Sequence, residues 1–301
     1  YQVVSSNNAI TALESGTVHY ISSVLTNANY EKLQSMESKG FTMLSTDQLG
    51  YGYIGVNAAK INDINLRKAI MCAMNTSLAL DYYRAGTAEQ IYWPMSTVSW
   101  AYPKDQSGNN SRDNLHSDYI AINWNRADAI ASIQSFMEAA GVSAGDAALS
   151  IKFTIAGSNL TDHPTYQTFQ SAADLLNECG WSIEVVPDTQ ALTKLSTGSL
   201  AVWAAAWGTT VDPDMYQVYH KNSTATSTLA WGYREILASP ASYPEETQIL
   251  SKLSDVIDDA REINDQAERS ALYKTAMGYV LDLAIELPVY QRKVLYAYNA
   301  K

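Results

Sequence analysis

Two aspartates at Asp212 and Asp214 close the run Leu200-Ala-Val-Trp-Ala-Ala-Ala-Trp-Gly-Thr-Thr-Val-Asp-Pro-Asp-Met-Tyr216, which concentrates the chemistry of this chain. Carboxylates so spaced can serve as an acid–base pair or as metal ligands. A plainer role also accounts for them. Asp212 would cap the free N–H groups of a helix opened by Pro213, and Asp214 would sit at the positive end of that helix. The run implies its own scaffold. Leu200 to Trp207 reads as a strand buried on both faces, Gly208 to Val211 as a loop, and Asp212-Pro213 as a helix start. In open α/β sheets, ligands bind beyond the carboxyl ends of strands, beside such helix starts.

Other reactive residues are scattered. His19, His116, His163 and His220 have no partner at i+3 or i+4 and read as surface or hydrogen-bonded residues. Cys72 and Cys179 are too few for a structural zinc site and read as buried thiols, with a disulfide left open. Arg67 reads as a surface arginine with a carboxylate partner, following Asp63. Trp93, Trp100, Trp207 and Trp231 are either core residues or a stacking floor for a ligand. No nucleophile elbow, zinc helix, Walker loop or dinucleotide fingerprint occurs, and Gly50-Tyr-Gly52 reads as a strand-edge turn. Neither a catalytic residue nor a metal or other cofactor is implied.

The 301 residues carry a net charge of −11. With no basic stripe, that argues against a nucleic-acid partner and against an anionic membrane surface. No apolar stretch has transmembrane length, and no basic start with an apolar core marks a signal peptide, an absence from which nothing follows for a chain read as a piece of a longer protein. Because it starts at Tyr1-Gln-Val-Val, the chain is expected to be a piece of a longer protein.

Hydrophobic spacing predicts the elements that position these residues. Asn8 to Glu14 reads as the end of a short helix, Val18 to Leu25 as a strand, Tyr30 to Lys39 as a helix, and Phe41 to Ser45 and Tyr51 to Val56 as two strands. One helix is expected over 65–85, followed by an irregular stretch over 86–117 with a polar tip at Ser107 to Ser111. Helices at 127–140, 166–179 and 189–197 alternate with strands at 149–155, 182–186 and 200–207. Two long helices, 245–262 and 265–283, precede strand-like segments at 287–290 and 294–298. The alternation predicts an α/β fold whose sheet is substantially parallel and has helices on both faces.

Several segments together resemble one family. Ala206-Trp207-Gly208-Thr-Thr-Val-Asp212-Pro213-Asp214 resembles the "G-W … D-P" segment of the peptide-binding proteins of ABC importers, solute-binding family 5. Leu13-Glu-Ser-Gly-Thr-Val-His19 is similar to "L-x-S-G-x-x-D", with His for the acid. Tyr53-Ile-Gly-Val-Asn57 followed by Ile64-Asn-Leu-Arg67-Lys-Ala-Ile70 is similar to "x-N … D-x-x-V-R-Q-A-I". Asn125-Arg-Ala-Asp-Ala-Ile130 with Glu138-Ala-Ala-Gly141, Leu175-Leu-Asn-Glu-Cys-Gly180-Trp, and Leu287-Pro288-Val-Tyr290 continue the likeness in order along nearly the whole chain.

The resemblance implies a type II periplasmic-binding-protein fold of two lobes with a mixed sheet and flanking helices. Residues 1–57 would end the first lobe, 58–286 would form the second, and 287–301 would return toward the first. The chain would carry one wall of a ligand cleft and part of the other. Its function would be capture of a peptide or similar small solute for ABC permease subunits. It would act as a monomer at the outer face of the cytoplasmic membrane, lipid-anchored, or in the periplasm.

By position, the loop against the ligand is Ala206, Trp207, Gly208, Thr209, Thr210 and Val211, with Asp212, Pro213 and Arg67 structural. The family's aspartate that meets a peptide ammonium is replaced by Thr210, so ligand identity stays open among peptides, oligosaccharides and metal chelates. A different class, a secreted hydrolase, would need a carboxylate pair with raised pKa near Trp207.

Overall fold

Among the described residues, seven strands in one mixed sheet hold the molecule together, in the spatial order β1-β7-β2-β6-β4-β5 with β3 paired to the middle of β7. The computed structural model describes residues 3–108, 118–120 and 123–300. The strands are β1 (Tyr20–Val24), β2 (Phe41–Val56), β3 (Ala88–Gln90), β4 (Ser150–Ala156), β5 (Ser182–Asp188), β6 (Val202–Trp207) and β7 (Glu286–Asn299). The α-helices preceding β4 are α1 (Ala9–Glu14), α2 (Asn27–Gln34), α3 (Ile64–Cys72) and α4 (Arg126–Ala139). Then come α5 (Tyr166–Glu178), α6 (Ala191–Ser196), α7 (Tyr216–Tyr219), α8 (Thr226–Trp231), α9 (Tyr233–Ala238), α10 (Pro244–Glu262) and α11 (Gln266–Asp282).

Alternation along the central strands builds two cores, one on each face. On β6, Val202 and Ala204 join Ile54, Val56 and Phe153 against α3, α4 and α5. Trp203 faces the other way, joining Tyr51 and Tyr53 against α10 and α11, where Leu250, Ile257, Tyr273 and Met277 are fully buried. A third, smaller core gathers Leu13, Leu25, Leu33 and Phe41 with Leu295 and Ala297.

The expected helix over 65–85 is instead two elements. After α3 the Asn75 side chain accepts from Ser77 N and Oγ, and Thr76–Tyr82 is a 3-10 helix. This local capping competes with continuation of the helix. The paired segments 41–45 and 51–56 are one strand, β2, with register shifts between Asp47 and Tyr51 and between Gly52 and Tyr53. Likewise 287–290 and 294–298 merge into β7.

Among the described residues, parallel pairing is confined to β4 with β5 and β6, while β2 runs antiparallel to both β6 and β7. Antiparallel neighbours need no crossover helix, so chain alternation alone overstated the parallel share. Gly50 and Gly52 lie within β2 rather than at an edge turn. Residues 109–117 of the expected irregular stretch, which include His116 and most of the polar tip, lie outside the described residues.

Candidate ligand site

Strand β6 opens as it runs outward. Val202, Trp203 and Ala204 are buried, and Trp207 at its end is half-buried. Trp207 pairs in register with Tyr51, and its indole stacks on Tyr53 with ring centroids 4.8 Å apart and planes 5° off parallel. Beyond it, Gly208 to Met215 is an irregular loop. The Thr209 hydroxyl donates to the Leu49 carbonyl, and the Thr210 hydroxyl donates to Asp212 O at 2.8 Å.

Two adjoining cavities flank this loop. One, of about 130 Å³, is lined by Trp207, Gly208, Thr209 and Thr210, by Tyr51 and Tyr219, and by the 94–99 stretch at Pro94, Met95, Ser96 and Ser99. The other, of about 410 Å³, is lined by Ala205, Ala206, Trp207, Gly208, Tyr53 and small residues of α8, with no charged side chain. Five of the six loop residues singled out by the sequence therefore line one or both cavities. Val211 lines neither and is 74% exposed.

Asp212 does not cap a helix. Its carboxylate accepts from Asp214 N at 3.0 Å, and Asp214 accepts in turn from Tyr216 N at 3.0 Å, so helix α7 begins at Tyr216 and not at Pro213. Two successive side-chain turns satisfy the backbone that a longer helix would have used. Both carboxylates are also paired, Asp212 with Arg269 at 3.3 Å and Asp214 with Arg261 at 3.2 Å.

Arg67 is a second correction. It is fully buried, not a surface residue, and its partner is Glu246 at 2.8 Å, while Asp63 caps α3 through Asn65 N. The guanidinium also donates to the carbonyls of Leu283, Ile61 and Asn62. Five donors in a rigid fork let arginine satisfy so many acceptors at once. Burial pulls its pKa down, and Glu246 opposes that by stabilising the charge.

Of the four tryptophans, Trp93 and Trp231 are core residues and Trp100 is half-buried beside Tyr273, leaving Trp207 alone at the cavities. Cys72 is buried, Cys179 is only half-buried, and both are free thiols. His220 is buried beside Asp258, and burial lowers the His163 pKa to about 4.

Glu286 is the residue the sequence analysis missed. Helix α11 ends at Asp282. Ala284, in the left-handed region at φ 49°, turns the chain into β7, whose first residue is Glu286. Its carboxyl is fully buried and accepts from Tyr51 Oη at 2.7 Å, Tyr219 Oη at 2.8 Å and Trp207 Nε1 at 3.3 Å. Burial raises its pKa to about 7, against the three hydrogen bonds that favour the ionised form. The available signal was a lone carboxylate inside the apolar run Leu283-Ala-Ile-Glu-Leu-Pro-Val289, because a buried acid demands partners.

A model of the middle portion of the bacterial extracellular solute-binding proteins, family 5, matches residues 1–228. The chain belongs to that family. No curated protein sequence matches it. Among solved structures, this family 5 chain is similar to the oligopeptide-binding protein AppA from Bacillus subtilis in complex with a nonapeptide. That likeness has a TM-score of 0.72 at 17% identity, covering 99% of this chain and 55% of that one. It is also similar to DppA from Helicobacter pylori in complex with the peptide STSA (TM-score 0.68, 16% identity, 100% and 52% covered). A third is NikZ from Campylobacter jejuni in complex with Ni(L-His) (TM-score 0.68, 14% identity, 99% and 55% covered). At these identities the likeness establishes the fold, that of type II periplasmic binding proteins. The chain spans about half the length of the structures it matches.

Proposed function

We propose that this chain forms part of the substrate-binding component of an ABC importer, capturing peptides or similar small solutes outside the cell membrane for delivery to permease subunits. One observation carries the reading: the loop from Ala206 to Thr210 lines two adjoining cavities where β6 ends. Peptide complexes among the structural neighbours support the peptide class. Backbone groups of Trp207, Gly208 and Thr209 would pair with the ligand main chain, an arrangement that tolerates varied side chains. Residues 58–286 would form one lobe, with 1–57 and 287–301 belonging to the other. The small third core, confined to the two chain ends, supports that division. The protein would work as a monomer, either lipid-anchored or periplasmic.

Calorimetry on the full-length protein tests this. Short peptides should bind, and Trp207→Ala should weaken them at least about tenfold, since a stacked aromatic wall contributes over 1 kcal/mol. Binding of oligosaccharides with no response to any peptide would replace the peptide reading.

A further inference from the structure

The three groups hydrogen-bonded to Glu286 all line the smaller cavity, while Glu286 itself does not. We infer that Glu286 is a positioning residue for the ligand site, its carboxyl sharing one proton with Tyr51 and Tyr219 and setting the Trp207 indole against the cavity. The inference rests on the cavity being the ligand site.

Hydrogen counting supports it independently of the carboxyl's acidity. Tyr51 Oη, Tyr219 Oη and the two Glu286 oxygens make three contacts of hydrogen-bond length, at 2.7, 2.8 and 3.1 Å. The two hydroxyls own two hydrogens between them, and burial keeps both phenols protonated by raising their pKa well above the usual range. A proton on Glu286 supplies the third hydrogen and closes the ring by reversing the Tyr51 bond: carboxyl to Tyr51, Tyr51 to Tyr219, Tyr219 back to the carboxyl. Trp207 Nε1 then donates to the same oxygen that accepts from Tyr219.

Loss of the proton leaves the Tyr51–Tyr219 contact without a hydrogen and puts a full charge opposite the indole N–H. Charge-assisted hydrogen bonds are shorter and stronger, so the indole is drawn inward and its stack on Tyr53 shifts. The titratable groups facing Glu286 are Tyr51 and Tyr53 from β2, Tyr219 from α7 and Tyr233 from α9. None of the ion pairs among the described residues includes it. Its proton is therefore the one that changes hands near neutrality.

Fluorine NMR of the fluorotryptophan-labelled full-length protein, with the Trp207 resonance assigned by its loss in Trp207→Phe, tests this. The resonance should shift with pH around a midpoint of about 7 in the wild type and stay flat in Glu286→Gln. Tyr219→Phe keeps the test decisive if the glutamine variant fails to fold. Removing a donor that favours the carboxylate should move the midpoint upward. A wild-type resonance that ignores pH, or a midpoint untouched by Tyr219→Phe, overturns the inference. Trialanine is added as a separate arm. If the titration behaves as expected but trialanine leaves the Trp207 resonance unmoved, the positioning role stands and peptide binding at this cavity fails.

Discussion

Arg67 and Glu246 form a buried ion pair, Nη2 to Oε1 at 2.8 Å, that ties the start of helix α10 to helix α3. Through its bonds to the Leu283 carbonyl, the same guanidinium fixes the turn that delivers Glu286. Removing one partner strands a charge in the core. Glu246→Ala is expected to cost about 3–5 kcal/mol in urea unfolding. The double variant Arg67→Met with Glu246→Leu should lose less than the sum of the single changes, because no charge is left unpaired.

Stability should fall as pH rises, through Glu286. Its pKa is raised in the folded chain, from 4.5 to about 7. The contribution is therefore full below about 4.5, declines as pH rises toward 7 and is gone above it. The change amounts to about 3 kcal/mol. Urea midpoints for wild type and Glu286→Gln across this range should converge in slope except for that loss, which the neutral amide lacks.

Gly50→Ala should be destabilising by about 1–3 kcal/mol and should perturb Trp207. A Cβ at position 50 would meet the Trp207 carbonyl oxygen at 2.0 Å, and backbone cannot swing aside as a flexible side chain can. Thermal unfolding together with near-ultraviolet circular dichroism reports both effects.

Asp212 holds a surface turn and a solvent-exposed pair with Arg269. Asp212→Asn should leave stability unchanged, since the amide oxygen can accept from Asp214 N. Asp212→Ala should cost less than about 1 kcal/mol, as exposed ion pairs contribute little. Chemical denaturation of the two variants separates these outcomes.

Thr210 lines the smaller cavity, and its hydroxyl is committed to Asp212 O. An uncharged hydroxyl cannot offset a ligand ammonium. Under the proposed function, Thr210→Asp in the full-length protein should shift preference toward a free-amino peptide over its N-acetylated form. Calorimetry with the two peptides measures the ratio, and an unchanged ratio would mean that position 210 does not face the ligand terminus.

Local periodicity made much of the architecture legible. The helices expected at 127–140, 245–262 and 265–283 stand within a residue of those bounds, and the Trp-rich run is a strand followed by a loop at the cavities. These features depend on residues a few positions apart, so the linear chain carries them. The family segments likewise preserved their order, and with it the fold class.

What lay beyond reach depends on partners distant in the chain. Arg67 looks like an exposed helix residue until Glu246, 179 positions later, is folded over it. Asp212-Pro213 has the composition of a helix start, yet the competing side-chain turns at Asp214 and Tyr216 win because the loop is held by Leu49 from the neighbouring strand and by Arg269. Glu286 acquires its meaning only where β7, β2, β6 and α7 converge. There burial penalises its charge, and two tyrosines and a tryptophan, each far off in sequence, supply the hydrogen bonds that make the carboxyl tolerable.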